Sequence, residues 1–284
     1  MQHNLFNMVE IGKYNTLKVV KSVDFGLYLD GEEHGEILLP TRYVPENVNV
    51  DDELEVFLYL DSEDRLIATT EKPLAKVGDF ALLEAVAVNR FGAFLNWGLP
   101  KDLMMPYSEQ RHNIEVGEKY FVYVYLDKET NRIVASSKTD KFLDQSPVNY
   151  EPGDEVEIFP VFKNSIGYRV LVNEHVWGMI YHDEVFSTVK RGERRKAYVK
   201  KVREDQKLDL TLQKPGYTAV EDFSDVLLRY INEHGGSIEI TDKSDPETIK
   251  KIFNVSKKIF KKAVGKLYKD KKIQIGKDNI TLVR

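Results

Sequence analysis

The 284-residue chain has no cysteine. Disulfides, zinc–thiolate sites and thiol nucleophiles are excluded together, and the composition fits a reducing compartment. No stretch approaches the ~20 consecutive apolar residues of a membrane span. Met1 to Val20 holds neither a long apolar run nor a small-residue cleavage pattern. A cytoplasmic protein with no membrane partner is expected. There is also no Walker-type phosphate loop and no Gly-x-Ser-x-Gly elbow. The histidines are His3, His34, His112, His175, His182 and His234, and no two stand at i, i+4 on a helix or beside a glutamate at metal-ligand spacing. His175 and His182, across a strand and turn, make only a weak pair. Asp183, Glu184, Asp205 and Asp209 fall in a basic segment, yet nothing in their spacing makes them converge. The expectation is a non-enzyme with no catalytic residue, no metal and no cofactor.

Hydrophobic residues make up 42% of the chain, enough for packed cores, and 31% of residues are charged. The net charge of -5 hides a gradient. Residues 1–73 carry net -9, residues 74–150 net -1, residues 151–214 net +1 and residues 215–284 net +4. A polyanion should therefore meet the back half of the chain.

Three segments repeat. They begin at Gly12, Gly78 and Gly153, and each has a second glycine at Gly26, Gly92 and Gly167, preceded by Phe25, Phe91 and Ile166. An extended apolar piece follows, and each ends in an alternating strand, a polar turn and a last strand: Leu54 to Leu60 then Arg65 to Thr70, Tyr120 to Leu126 then Arg132 to Ser137, and Ala197 to Val202 then Lys207 to Leu212. Period-two alternation rich in β-branched and aromatic residues predicts five short strands per unit. So short a unit cannot cover both faces of an open sheet, and closure into a small barrel removes its edges. An SH3-like barrel competes, but the strand count and the long polar connection before strand four favour the OB type. The second glycine is expected at a bulge or bend, where a missing Cβ lets the strand curl. The fold expected is mainly β: OB-type units at 1–73, 74–146 and 147–214, then an α+β winged helix-turn-helix at 215–284.

The pattern of Phe-Gly-x-aromatic-aliphatic, with a final Asp-x-x-x-Arg-Ile/Leu-x-Ala-Ser/Thr strand, resembles the S1-type RNA-binding repeat. It is clearest in Phe91-Gly92-Ala93-Phe94-Leu95, with Asp127 and Arg132-Ile133-Val134-Ala135-Ser136-Ser137. Three such repeats before a winged helix are similar to the conserved virulence factor B family of bacterial RNA-binding regulators. The resemblance implies single-stranded RNA held on barrel faces by stacking aromatics, here Phe25 and Tyr28 in repeat one and Phe91 and Phe94 in repeat two. Repeat three departs from it: Ile166 and Arg169 replace the two aromatics, with Tyr168 between them. The usual histidine closing strand three is Pro40, Pro106 and Tyr181.

Single-strand binding needs a basic groove for phosphates and aromatic faces for bases, each stack worth ~1–3 kcal/mol. The outward row of strand four is Glu55, Phe57 and Tyr59 in repeat one, Phe121, Tyr123 and Tyr125 in repeat two, and Lys196, Tyr198 and Lys200 in repeat three. Only the third interleaves lysine with an aromatic. Lys190, Arg191, Arg194, Arg195, Lys201 and Arg203 surround it, with Glu193 the one acid between 190 and 203. Tyr181 and His182 are expected nearby. Repeat one should repel RNA and serve as a spacer or protein contact. Repeat two could stack bases or bury its aromatics against a neighbour.

Lys214-Pro215-Gly216 breaks the β pattern. Val220, Phe223, Val226, Leu227, Tyr230 and Ile231 then form a helical stripe that Gly235-Gly236 stops. A short strand over Ser237 to Thr241 follows, then a helix capped by Ser244 or Asp245 with Pro246 in its first position. A third helix begins near Asn254-Val255-Ser256, and a hairpin around Gly276-Lys277-Asp278 is the wing. The third helix carries Lys257, Lys258, Lys261, Lys262, Lys266 and Lys269, with no Arg, Asn or Gln to read base edges, so phosphate contact is expected. The partner expected is single-stranded RNA, with DNA as the competing polyanion. The alternative is a scaffold docking the ribosome or an RNA-processing complex.

Overall fold

The computed structural model describes residues 8–143, 149–185, 188–213, 219–253 and 255–283. The Lys214-Pro215-Gly216 break, Asn254 and the side chains of Asp183 and Val220 lie outside the described residues. The chain divides into two compact units, Met1–Leu143 and Asp144–Arg284.

Three closed five-stranded barrels carry the β residues. The first is β1 (Tyr14–Val23), β2 (Gly26–Asp30), β3 (Glu36–Pro40), β4 (Glu53–Leu60) and β5 (Leu66–Thr69). The second is β6 (Phe80–Asn89), β7 (Gly92–Asn96), β8 (Leu103–Pro106), β9 (Lys119–Leu126) and β10 (Ile133–Ser136). The third is β11 (Glu155–Lys163), β12 (Gly167–Val172), β13 (Val176–Tyr181), β14 (Arg195–Val202) and β15 (Leu208–Thr211). In each, strand three pairs in parallel with strand five and strand four closes onto strand one, which is the OB order.

Two glycines per repeat have backbone reasons. Gly12, Gly78 and Gly153 adopt positive φ and donate to the carbonyls of Leu58, Val124 and Val199 in strand four, which fixes the entry to strand one. The second glycine is not at the bulge expected of it. The bulges lie in the long first strands, between Val19 and Lys21, Ala85 and Ala87, and Pro160 and Phe162, where one strand turns from strand four to strand two. Gly26, Gly92 and Gly167 instead open strand two against the last residue of strand three. A Cβ there would lie 2.2, 2.3 and 2.1 Å from the carbonyl oxygens of Leu39, Met105 and Ile180.

Alternation fills each interior. Val19, Leu29, Leu39 and Leu58 fill the first barrel, Leu83, Leu95, Met105 and Val124 the second, and Ile158, Val170, Ile180 and Leu210 the third. In the first barrel, Phe57 and Tyr59 face outward from β4, yet they are buried within the cluster of barrel two. Phe57 meets Trp97 edge-on with ring centroids 5.8 Å apart, and Trp97 Nε1 donates to Lys101 O at 2.7 Å. The outward face of repeat one's strand four is thus an internal interface with repeat two.

The last segment is α1 (Ala219–Glu233), β16 (Ser237–Ile238), α2 (Pro246–Phe253), α3 (Lys257–Lys269), β17 (Ile273–Ile275) and β18 (Ile280–Leu282), with sheet order β16-β18-β17. Phe223, Leu227 and Ile231 of α1 pack with Phe253, Phe260, Val264 and Leu267. Asp245 caps α2, accepting from the backbone N–H of Glu247 and Thr248, and Ser256 caps α3 by accepting from Ile259 N–H. The expected strand over Ser237 to Thr241 is cut to two residues, because Thr241 N–H turns away to Ser244 Oγ at 2.9 Å. No helix among the described residues is long and apolar enough to cross a membrane.

Removing a buried ring leaves a void that the surroundings only partly fill. Phe57→Ala should lower the unfolding free energy in urea by about 3–5 kcal/mol. Phe25→Ala, at a position 57% exposed, should change it by no more than about 0.5 kcal/mol.

Candidate nucleic-acid interface

The barrel-two face is built on the row Phe94, Met104, Val134 and Tyr125, which crosses β7, β8, β10 and β9 in register. Phe91, before β7, is 57% exposed with the Arg90 guanidinium 4.7 Å from its ring centre. Phe91 and Phe94 line a cleft of about 590 Å³ whose walls include Trp97, Lys101, Asp102 and Arg132. Burial pushes the Asp102 carboxyl above its ordinary value. The β9 aromatics are largely covered: Phe80 stacks on Phe121 at 5.6 Å, and Phe142 stacks on Tyr123 at 4.2 Å and lies 5.2 Å from Tyr125. Burial, with Glu109 and Asp127 nearby, pushes the Tyr125 hydroxyl up to about 12. In barrel one, Phe25 is exposed and meets Tyr28 edge-on at 6.2 Å, while Lys21 lies over Tyr28 and pairs with Glu36 at 2.5 Å.

Barrel three presents a different surface. Arg169, Met179, Asp209 and Lys201 form its outward row across β12, β13, β15 and β14. A bulge between Val199 and Lys201 alters the expected lysine row: Lys196 and Tyr198 are followed in register by Lys201, and Lys200 is the extra residue. Most cations of the basic run already have partners. Lys196 pairs with Glu155 at 2.5 Å, Arg194 with Glu157 at 2.9 Å and also with Glu174, Lys200 with Glu184, and Arg203 with Asp205 at 3.2 Å. Burial pulls the Arg194 guanidinium down, but Glu174 and Glu157 together hold it above its ordinary value. Lys201 is exposed and pairs with no carboxylate among the described residues.

Tyr168 is a correction to the sequence candidates. It faces inward, 8% exposed in the barrel core, with its ring against His182 at 5.7 Å. It therefore offers no stacking face. His182 Nε2 lies 3.0 Å from Asn164 O. Tyr181 donates to Asp209 Oδ1 at 3.3 Å. Tyr181 and Tyr198 flank Thr211 on neighbouring strands, roughly 10 Å apart by strand spacing. Trp177 and Lys207 are absent from the sequence candidates. They line a smaller cleft of about 310 Å³ with Arg169, whose guanidinium sits 4.0 Å over the indole of Trp177. The signal was present, since Trp177 stands in strand three opposite Leu171, two residues along from Arg169.

On α3 the balance reverses. Phe260, Ala263, Val264 and Leu267 face the core, and Lys258, Lys261, Lys262 and Lys269 are exposed. None of these four pairs with a carboxylate among the described residues. Lys257 is half-buried, its Nζ 3.4 Å from Lys243 O. Tyr268, 57% exposed, shares the lysine face, as does Gly265, which has nothing within 4 Å of a built Cβ. Tyr268 also escapes the sequence candidates, although its spacing from Lys261 and Gly265 puts it on their side. No group of three metal-ligating side chains converges among the described residues.

The S1 domain family matches residues 11–71 and 77–138, and the CvfB-like winged helix domain matches residues 225–282. Conserved virulence factor B of Staphylococcus saprophyticus is 25% identical over 295 residues, 96% of this chain and 95% of its own. The chain carries S1 domains and a CvfB-like winged helix domain, and over most of its length it is similar to proteins named conserved virulence factor B. The uncharacterized protein YitL of Bacillus subtilis (strain 168) is 28% identical, covering 92% of this chain and 90% of its own. A solved multidomain protein with nucleic acid binding domains from Streptococcus pneumoniae aligns over 96% of this chain and 98% of its own, at 23% identity and a TM-score of 0.43. S1 and winged helix domains together point to nucleic-acid binding.

One ion pair of the barrel-two cleft has a clear pH signature. Hydrogen bonds from Lys101 and Arg132 hold the Asp64 carboxyl below its ordinary value. A carboxyl lowered in the folded state stabilises the fold above its unfolded-state value of about 3.9, and that contribution fades as pH falls through the folded-state value. A carboxyl-carbon NMR titration should give Asp64 a midpoint below about 3.9 that Arg132→Gln moves upward. A midpoint unmoved by that substitution would remove the bridge.

Proposed function

We propose that the chain is an RNA-binding regulator in which α3 supplies the electrostatic hold on single-stranded RNA and barrel three supplies stacking and further phosphate contacts. The observation that carries this reading is the state of the lysines. Lys258, Lys261, Lys262 and Lys269 stand exposed without carboxylate partners, whereas Lys196, Arg194, Lys200 and Arg203 are held by acids of their own barrel. A phosphate meeting the first group releases counterions without breaking an existing pair. Tyr268 adds a ring on the same face, and Tyr181, Tyr198 and the Arg169 guanidinium, backed by the buried Trp177, add planar surfaces in barrel three, which lies in the same compact unit. Stacking tolerates every base and either sugar, so little discrimination by sequence follows and single-stranded DNA competes.

Docking of a ribosome or RNA-processing complex through repeat two had its basis in an open aromatic strand four. That surface is reduced, because Phe80 and Phe142 cover Phe121, Tyr123 and Tyr125, and barrel two covers Phe57 and Tyr59.

Fluorescence anisotropy with a labelled single-stranded RNA at several salt concentrations tests the reading. For a single strand, each lost phosphate contact reduces the slope of log affinity against log salt by about 0.7. Lys258→Gln, Lys261→Gln and Lys262→Gln together should reduce it by about 2. Arg194→Gln with Lys196→Gln should have a smaller effect than two of the α3 substitutions. An unchanged slope in the α3 triple variant would overturn the assignment.

A further inference from the structure

Asp64 sits in the turn between β4 and β5 of barrel one, yet its carboxylate reaches into the stacking cleft of barrel two. It lies 3.1 Å from Lys101 Nζ and is also bonded to the Arg132 guanidinium. The turn is held for this placement. Asp61 accepts from the backbone N–H of Glu63 and Arg65 and from the Arg65 side chain, and Asp61 O accepts from Lys101 Nζ at 2.5 Å. Asp64 itself takes φ 60°, a left-handed conformation that only a few residue types adopt readily. An anionic group bridging an arginine and a lysine beside two aromatic rings has the chemistry of a nucleotide: charged oxygens on the cations and a flat apolar group on the rings.

We propose that Asp64 occupies the phosphate position of the barrel-two cleft, so that a single strand stacking a base on the S1-type aromatics Phe91 and Phe94 must displace the Asp64 carboxylate before its phosphate sits between Lys101 and Arg132. The cleft volume of about 590 Å³ falls within the roughly 300–1,000 Å³ of small-ligand sites. The site rests on the reading of the chain as a nucleic-acid binder but uses none of the α3 lysines. Asp64 then sets specificity: the acidic first barrel, which would repel a strand at long range, also supplies the group that a phosphate must displace. Barrel one is in this sense a selective cover for the barrel-two face.

The test uses the full chain and a fluorescein-labelled uridine 12-mer. Asp64→Asn keeps the left-handed turn, which asparagine tolerates, and removes the charge. It should tighten binding by about twofold to fivefold, the scale of one exposed ion pair, and steepen the salt dependence. Glu63→Gln removes the same formal charge one residue away, where Glu63 pairs with Arg65 rather than with the cleft, and should leave affinity unchanged. Adding Phe94→Leu or Arg132→Gln to Asp64→Asn should abolish the gain, each read as the ratio with and without the Asp64 change so that any general loss of stability cancels. The gain should persist with Lys258, Lys261 and Lys262 all changed to Gln, whatever those changes do by themselves. Absence of a gain, an equal gain from Glu63→Gln, or a gain that survives both Phe94→Leu and Arg132→Gln would each overturn the site. Loss of affinity from the α3 changes is a separate result and bears only on the α3 reading.

Discussion

An internal ion pair competes with any phosphate for the same cation. A lysine already held by a carboxylate contributes to polyanion binding only after that contact is broken, and the exchange returns little net free energy in water. Three surfaces of this protein differ mainly in this respect. On α3, Lys258, Lys261, Lys262 and Lys269 pair with no carboxylate among the described residues, and the helix from Lys257 to Lys269 itself contains no acid. On barrel three each run of cations on β14 lies beside acids of β11 or of nearby loops, so Lys196 and Arg194 are matched by Glu155 and Glu157. At the barrel-two cleft the match comes from the neighbouring barrel through Asp64.

Strand alternation determines what those charges surround. A five-stranded barrel fills its interior from one side of each strand and leaves the other side to be solvated, stacked or covered. Barrel one covers β4 by packing Phe57 and Tyr59 on barrel two, with Trp97 as the facing ring. Barrel two covers β9 with Phe80 and with Phe142 from the turn after β10. Phe91 and Phe94 stay at the surface of the first unit because the barrel–barrel contact stops short of them and leaves the cleft.

The three-barrel order and the winged helix were legible because they depend on local signals: alternation, paired glycines at fixed spacing, a Gly-Gly stop and side-chain caps. Asp245 and Ser256 cap the helices that their positions suggested. The site was less legible, for identifiable reasons. Counting charges along the chain treats Lys196 and Lys258 alike, and only the fold brings Glu155 opposite Tyr198 and beside Lys196. A bulge after Val199 moves Lys201 into the place predicted for Lys200, and alternation cannot register one extra residue. Tyr168 looked like a replacement for the missing aromatic of repeat three, but Gly167 opens the strand and the next residue turns inward. The role of Gly92 was read as bending when the fold uses its lack of a Cβ for close approach to Met105 O.

In the proposed function the strand lies on the α3 face and the outward face of barrel three. The most direct measurement is photo-crosslinking of a 4-thiouridine-substituted single-stranded RNA to the full chain, with the crosslinked peptides identified by mass spectrometry. Crosslinks are expected at Tyr268 and in the segments holding Tyr181 and Tyr198, with few at Phe25 and Tyr28. Crosslinks concentrated at Phe25 and Tyr28, with none on α3, would contradict it.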